Sequence, residues 1–191
     1  MTKHILFLIF SMLLSLKGFS QTHSELRLFL GSAHLVLVEI KNVTSPEFEN
    51  IETRMIGGNY LHPLGKDLYL VSGFRYQYGV VDITEIGDSY YQHKEETFQL
   101  MSIPLQVEKS FWKYFFVHGG PSIDWQMTKS RFDQQSGIGM GIGLGASYRL
   151  NNFSFFINPR FKMNALIPFR EKPYKHNLTE LGLQFGLGYK L

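Results

Sequence analysis

From Gly137 to Leu150 the sequence reads GIGMGIGLGASYRL. Ile138, Met140, Ile142, Leu144, Ala146, Tyr148 and Leu150 share one parity, and Gly137, Gly139, Gly141, Gly143, Gly145, Ser147 and Arg149 share the other. Period two is the signature of a strand whose faces meet different surroundings. The second face is the sharper constraint. Glycines turned to water would solubilise nothing and would cost backbone entropy. Turned to a crowded interior, they leave room for Phe116, Phe156 or Arg160 from other strands. The Ile/Met/Leu face then meets lipid, and a bilayer accepts strands only as a closed barrel without free edges.

The same alternation recurs along the chain. Leu181, Leu183, Phe185, Leu187, Tyr189 and Leu191 oppose Gly182, Gln184, Gly186, Gly188 and Lys190. Within 68–80, Phe74, Tyr76, Tyr78 and Val80 oppose Gly73, Arg75, Gln77 and Gly79. Segments 97–108, 114–127 and 153–164 follow suit, with Ile103, Trp125 and Phe155 on apolar faces and His118, Asp124 and Arg160 on polar ones. Strands near 26–41 and 52–61 are less regular, because Leu35 and Leu37 break the pattern and Arg54 to Tyr60 fits either register. The total is eight strands. Pro104, Pro121 and Pro159 each remove a ladder donor, so they are expected at bulges or strand margins.

The connections alternate in length. Short ones are expected at 62–67, 109–113 and 151–152, and long ones at 42–51, 82–95, 128–136 and 165–178. This rhythm belongs to an up-and-down barrel with one rim in the periplasm and one outside. Both termini then lie on the periplasmic, short-turn side. Phe111, Trp112, Tyr114, Tyr148, Phe153 and Tyr189 gather near the short turns as an aromatic girdle, with Tyr78, Trp125 and Phe132 toward the long connections. Tyr90, Tyr91, Phe132 and Phe169 are partner contacts or rim anchors. The competing closed architecture is a soluble lipocalin-like barrel with its apolar face inside and an apolar ligand bound there.

Lys3 and His4, the apolar run Ile5 to Leu16, and the small residues Gly18 and Ser20 form the pattern of a secretory signal peptide cut after Ser20. The expected domains are thus a cleaved leader, 1–20, and a barrel, 21–191. Removing the leader takes Lys3 and Lys17 with it and lowers the net charge from +3 to +1. No clustered basic face remains for nucleic acid. The absence of Cys excludes disulfides, thiolate metal sites and a thiol nucleophile. The mean hydropathy of −0.09 excludes a bundle of membrane helices but not a barrel, whose polar lumen offsets its apolar belt.

His118, Ser122 and Asp124 share a face of one strand, but four residues along a strand span about 13 Å, so His118 cannot activate Ser122 within it. The simpler reading is a charged lumen in which Arg75, Arg149, Arg160 and Lys162 are balanced by Glu108 and Asp124. The His residues are too scattered for a zinc site, and the Gly139–Gly143 run lacks the strand–loop–helix context of a phosphate loop. No catalytic, cofactor-binding or metal-ligating residue is assigned, and no cofactor is expected.

These features resemble the PorT-like small outer-membrane β-barrels of Bacteroidetes. The resemblance rests on Gly18-Phe19-Ser20-Gln21, Ile103-Pro104-Leu105, Gly119-Gly120-Pro121, the glycine-alternating strand and the ending Gly186-Leu187-Gly188-Tyr189-Lys190-Leu191. Family members typically end in an aromatic residue; here Tyr189 stands two residues before the end. The resemblance implies that barrel-assembly machinery reads the C-terminal strand and that envelope or secretion proteins meet the loops. The expected fold is an all-β, eight-stranded antiparallel up-and-down transmembrane barrel with a filled lumen. The expected function is that of a monomeric outer-membrane protein with a structural or interaction role, no open pore and no enzymatic activity. A lipid-modifying enzyme is the alternative from another class.

Overall fold

A computed structural model describes residues 23–39, 51–86, 91–128, 135–169 and 176–191. The expected leader, Tyr90 and Phe132 lie outside the described residues. The strands are β1 (Glu25–Glu39), β2 (Ile51–Gly65), β3 (Leu68–Ile86), β4 (Tyr91–Phe111), β5 (Phe115–Gln126), β6 (Gly137–Leu150), β7 (Phe153–Pro168) and β8 (His176–Lys190). Each pairs antiparallel with its neighbours in sequence, and β1 pairs with β8 to close the barrel. Ser24 and Leu191 meet at the short-turn rim, where the Leu191 amide donates to the Ser24 carbonyl at 2.9 Å.

The faces are those the alternation demands. Ile138, Met140, Ile142 and Leu144 of β6 are exposed on the outer wall, whereas Gly137, Gly139, Gly141, Gly143 and Gly145 are buried inside. A soluble barrel would invert this. The glycines lie directly across from the large inward side chains: Phe116 pairs with Gly145 and His118 with Gly143, and Phe156 pairs with Gly186. A Cβ at Gly145 would collide with the Phe116 ring, and one at Gly186 with the Phe156 ring. The interior is close-packed, so a wall of small residues on one strand is the space filled by aromatic rings from its neighbour.

Several boundaries differ from expectation. The connection expected at 82–95 is mostly strand, since β3 runs to Ile86 and β4 starts at Tyr91. The β2 register on β3 begins at Thr53–Gly79, and the β5 register on β4 begins at Leu100–Gln126. Above them, Val80–Ile86 and Tyr91–Thr97 pair only with each other among the described residues. About seven residues at roughly 3.3 Å each carry this two-stranded ribbon about 20 Å past the last described pairings with β2 and β5. Likewise β7 extends to Pro168 and β8 starts at His176, which shortens the connection expected at 165–178. The turn expected at 62–67 contracts to Lys66 and Asp67.

The prolines are also not where expected. Each lies inside a strand, with the register unshifted. Pro104 pairs with Ser122 of β5, but the β3–β4 register skips Gly73 and Phe74 opposite Ile103 and Pro104. Pro121 pairs with Met140, with a skip toward β4. Pro159 pairs with Leu183, with a skip toward β6. A proline lacks one donor, so it keeps one neighbour and loosens the other. The register shifts fall elsewhere, at Pro63/Gly65 and at Ile138/Met140. The second lies opposite Ala165, whose φ of 46° marks the bulge in β7.

Candidate functional site

The inward parity builds one continuous polar network flanked by apolar clusters. Near the short-turn end, Arg27 of β1 donates from Nε to Glu25 Oε1 at 2.9 Å and from Nη1 to Glu108 Oε2 at 2.8 Å. Its guanidinium lies between the rings of Phe116 and Phe156, 5.1 and 5.2 Å from their centroids. Ser154 adds a hydrogen bond to Glu25 Oε1. Phe116 and Phe156 join Phe29, Ala33 and Met55 in one buried cluster, and Leu61, Tyr69 and Val71 form another.

A second charge cluster draws on β3, β5, β7 and β8. Arg75 Nη1 donates to Glu180 Oε1 at 2.9 Å, and Arg160 Nε lies 3.6 Å from the same oxygen. Lys162 Nζ donates to Asp124 Oδ1 at 2.6 Å and to Ser102 Oγ at 3.0 Å. All these charged side chains are buried. Across the two clusters Arg27, Arg75, Arg160 and Lys162 face Glu25, Glu108, Asp124 and Glu180, so the buried formal charges cancel. Charges withdrawn from water need such partners.

The structure bears out Arg75, Arg160, Lys162, Glu108 and Asp124 as lumen charges. Arg149 is different. Its side chain is half exposed at the rim, with Nη2 3.7 Å from Glu25. Sequence reading missed Glu25, Arg27 and Glu180. The signal was present: Glu180 shares the parity of Gly182 and Gln184, and Glu25 and Arg27 flank the apolar Leu26.

His118, Ser122 and Asp124 all point inward, but not into a triad. His118 lies between Gln106 and Asn158. With the proton on Nδ1, its ring donates to Gln106 Oε1 and accepts from Asn158 Nδ2, which also donates to Gln184 Oε1. Ser122 Oγ instead donates to Asp124 Oδ2 at 3.3 Å. No hydrogen bond joins His118 to Ser122 among the described residues. The lumen cavity around Arg27, Arg75, Gln106, His118 and Arg160 has a volume of about 20 Å³, the room of a single water molecule. Among the described residues no group of three or more His, Asp or Glu side chains could hold a metal ion.

The short-turn rim carries paired aromatic rings. Phe111 stacks on Phe115 with Trp112 edge-on to both, Tyr114 stacks on Tyr148, and Phe153 meets Tyr189 edge-on. At the other end Tyr78 and Trp125 face outward, and Phe169 is exposed just beyond β7. Between these levels the outer wall is apolar, as at Leu28, Leu105 and Leu187. This is the lipid belt of a transmembrane barrel.

No family model matches this chain, and no curated protein matches it. Solved structures do. The attachment invasion locus protein Ail of Yersinia pestis, solved with the heparin analogue sucrose octasulfate, is 15% identical, with 89% of this chain and 100% of that chain covered and a TM-score of 0.50. The outer membrane protein OprG from Pseudomonas aeruginosa is 11% identical over 89% of this chain and 96% of that one, with a TM-score of 0.55. At these identities the likeness is one of fold. The fold of this chain is that of the small eight-stranded outer-membrane β-barrels.

Proposed function

We propose that this chain is a monomeric outer-membrane barrel with a sealed lumen. It acts as a fixed scaffold that offers its long-connection rim, including the β3–β4 ribbon, to envelope partners, and it carries out no chemistry of its own. One observation supports this above the rest. The middle of the lumen is occupied by a charge-balanced network around a void of about 20 Å³, too little there for a conduit or a substrate pocket. The apolar outer wall and the aromatic rim favour an outer-membrane location, with the short turns and the chain ends in the periplasm. The sequence motifs favour the PorT-like barrels of Bacteroidetes as its relatives, export through the 1–20 leader, and recognition of β8 by the barrel-assembly machinery.

Trypsin applied to intact cells tests this. Cleavage is expected after Lys41, Lys129 or Arg170, in the long connections, while Lys66 and Lys113, in the short turns, stay protected until the envelope is opened. Cleavage at Lys66 or Lys113 in intact cells would reverse the orientation and remove the proposed interaction rim.

A further inference from the structure

On the outer wall of β1 and β2 the apolar belt gives way to polar side chains. Leu28 and Leu30 are followed on β1 by Ser32 and His34, and Ile56 on β2 gives way to Arg54 and Glu52. These are successive cross-strand pairs on the outer face: Leu30–Ile56, Ser32–Arg54 and His34–Glu52. All the polar members are exposed. The next strand on one side does not share the change, because Ser32 pairs with Leu183 and His34 with Leu181, which is 63% exposed. On the other side stand Tyr78 and Val80, also exposed. The polar patch is therefore bordered by lipid-facing residues rather than lying clear of the belt.

Two depressions meet there. An outward cleft of about 450 Å³ is lined by Ser32, His34, Glu52, Arg54 and Tyr78. Directly below it in the pairing order, a groove of about 630 Å³ runs between Leu28, Leu30, Ile56, Phe155 and Phe185. The backbone of Gly57 and Gly186 lines the floor of this groove, between the outward side chains of Leu28, Leu30, Ile56, Phe155 and Phe185. The upper cleft carries a cation and an anion two residues apart on one face, about 7 Å along the strand. Neither Arg54 nor Glu52 makes an ion pair or hydrogen bond within the protein among the described residues. Charges set against a lipid belt call for partners of opposite sign, and this pair asks for an anion and a cation side by side.

We propose that this wall binds one lipid with a phosphoethanolamine headgroup. The phosphate sits at Arg54, the ammonium at Glu52, and the acyl chains lie in the groove floored by Gly57 and Gly186. A phosphate and an amine joined by two carbons match the i, i+2 spacing of the two side chains. Arg offers paired donors to phosphate oxygens, and Ser32 and His34 supply hydrogen-bonding groups beside them. A purely anionic lipid would set a second negative charge against Glu52.

The inference rests on the transmembrane reading above, and the test separates the two. The full barrel is exchanged into phosphatidylcholine nanodiscs containing small, equal fractions of phosphatidylethanolamine and phosphatidylglycerol, and retained lipid is counted by native mass spectrometry. Wild type is expected to keep one phosphatidylethanolamine. Arg54→Gln should retain it roughly tenfold less or worse, the loss of one charged hydrogen-bonded contact. Glu52→Gln should shift retention toward phosphatidylglycerol, and Lys113→Gln, at the opposite rim, should match wild type. Both site residues are exposed, and heat-modifiable migration of unboiled samples confirms that each variant is folded. Equal retention of the lipids by wild type, or unchanged retention by Arg54→Gln, overturns the site and leaves the barrel reading intact. A barrel that fails to enter nanodiscs overturns both.

Discussion

Gly145 is the position where the packing argument can be measured most directly. Its missing side chain is the space occupied by the Phe116 ring. That ring is only 2% exposed and cannot swing aside, because His118 and Phe156 lie 6.1 and 6.5 Å from it and Arg27 caps its face. Gly145→Ala forces one methyl into filled space and should destabilise the barrel by about 1–3 kcal/mol. Phe116→Ala removes a buried ring and should cost about 3–5 kcal/mol. In the double variant the methyl enters the space the ring has left, so Gly145→Ala should cost almost nothing, giving a coupling of about 1–3 kcal/mol. Gly65→Ala is the control, since nothing lies within 4 Å of a Cβ there, and should change stability by less than about 0.5 kcal/mol. The assay is urea unfolding in phospholipid vesicles, followed by tryptophan fluorescence and by gel mobility of unboiled samples. If the two changes add to within about 0.5 kcal/mol, the glycine wall is not there to seat the ring.

Other expectations follow from the lumen and the outer wall. Lys162→Met strands Asp124 in the interior and should destabilise by about 3–5 kcal/mol, while adding Asp124→Asn should restore much of the loss; no recovery would mean that the pair at 2.6 Å is not the relevant contact. Trp125 faces lipid on β5, whereas Trp112 is 84% exposed in a rim turn. With the other tryptophan replaced by Phe, lipids brominated along the acyl chain should quench Trp125 the more strongly, and equal quenching would contradict the placement of the belt. In planar bilayers the protein should give no stepwise conductance, because the void at the middle of the lumen is about 20 Å³; stable open steps would refute a sealed interior.

The barrel was legible where a strand lies between two unlike surroundings for its whole length. β6 stands where the alternation puts it, and in β8 the alternation holds from Leu181 onward, although the strand itself begins earlier, at His176. β1 and β2 were harder because each face carries exceptions: Ser32, His34, Glu52 and Arg54 outside, and Leu35 and Leu61 buried inside. The ribbon above β3 and β4 reads as a loop because the sequence from Val81 to Glu96 carries no sustained period-two alternation, although its backbone pairs as two strands. The prolines misled because the rule that confines them to edges or bulges treats both neighbours of a strand alike, whereas here each proline loosens one side only. The individual ion pairs were out of reach for a simpler reason. Arg27 and Glu108 are 81 residues apart and Arg75 and Glu180 are 105 apart, so their meeting is set by barrel closure and stagger rather than by any local pattern.

The seam between β1 and β8 is the one place where the barrel wall joins two ends of a chain rather than a hairpin. It runs from Glu25–Lys190 to Glu39–His176 without a skip or shift. The seams of β3 with β4, β4 with β5 and β6 with β7 are each interrupted. The covalent discontinuity is thus stitched by an unbroken zipper, and the slack lies in the middle of the sheet, between strands already tethered by short loops or by the ribbon. Such a cylinder resists being unrolled from its ends. The skipped pairings beside Pro104, Pro121 and Pro159 are all interior to the sheet, each flanked by paired residues on both sides along its seam.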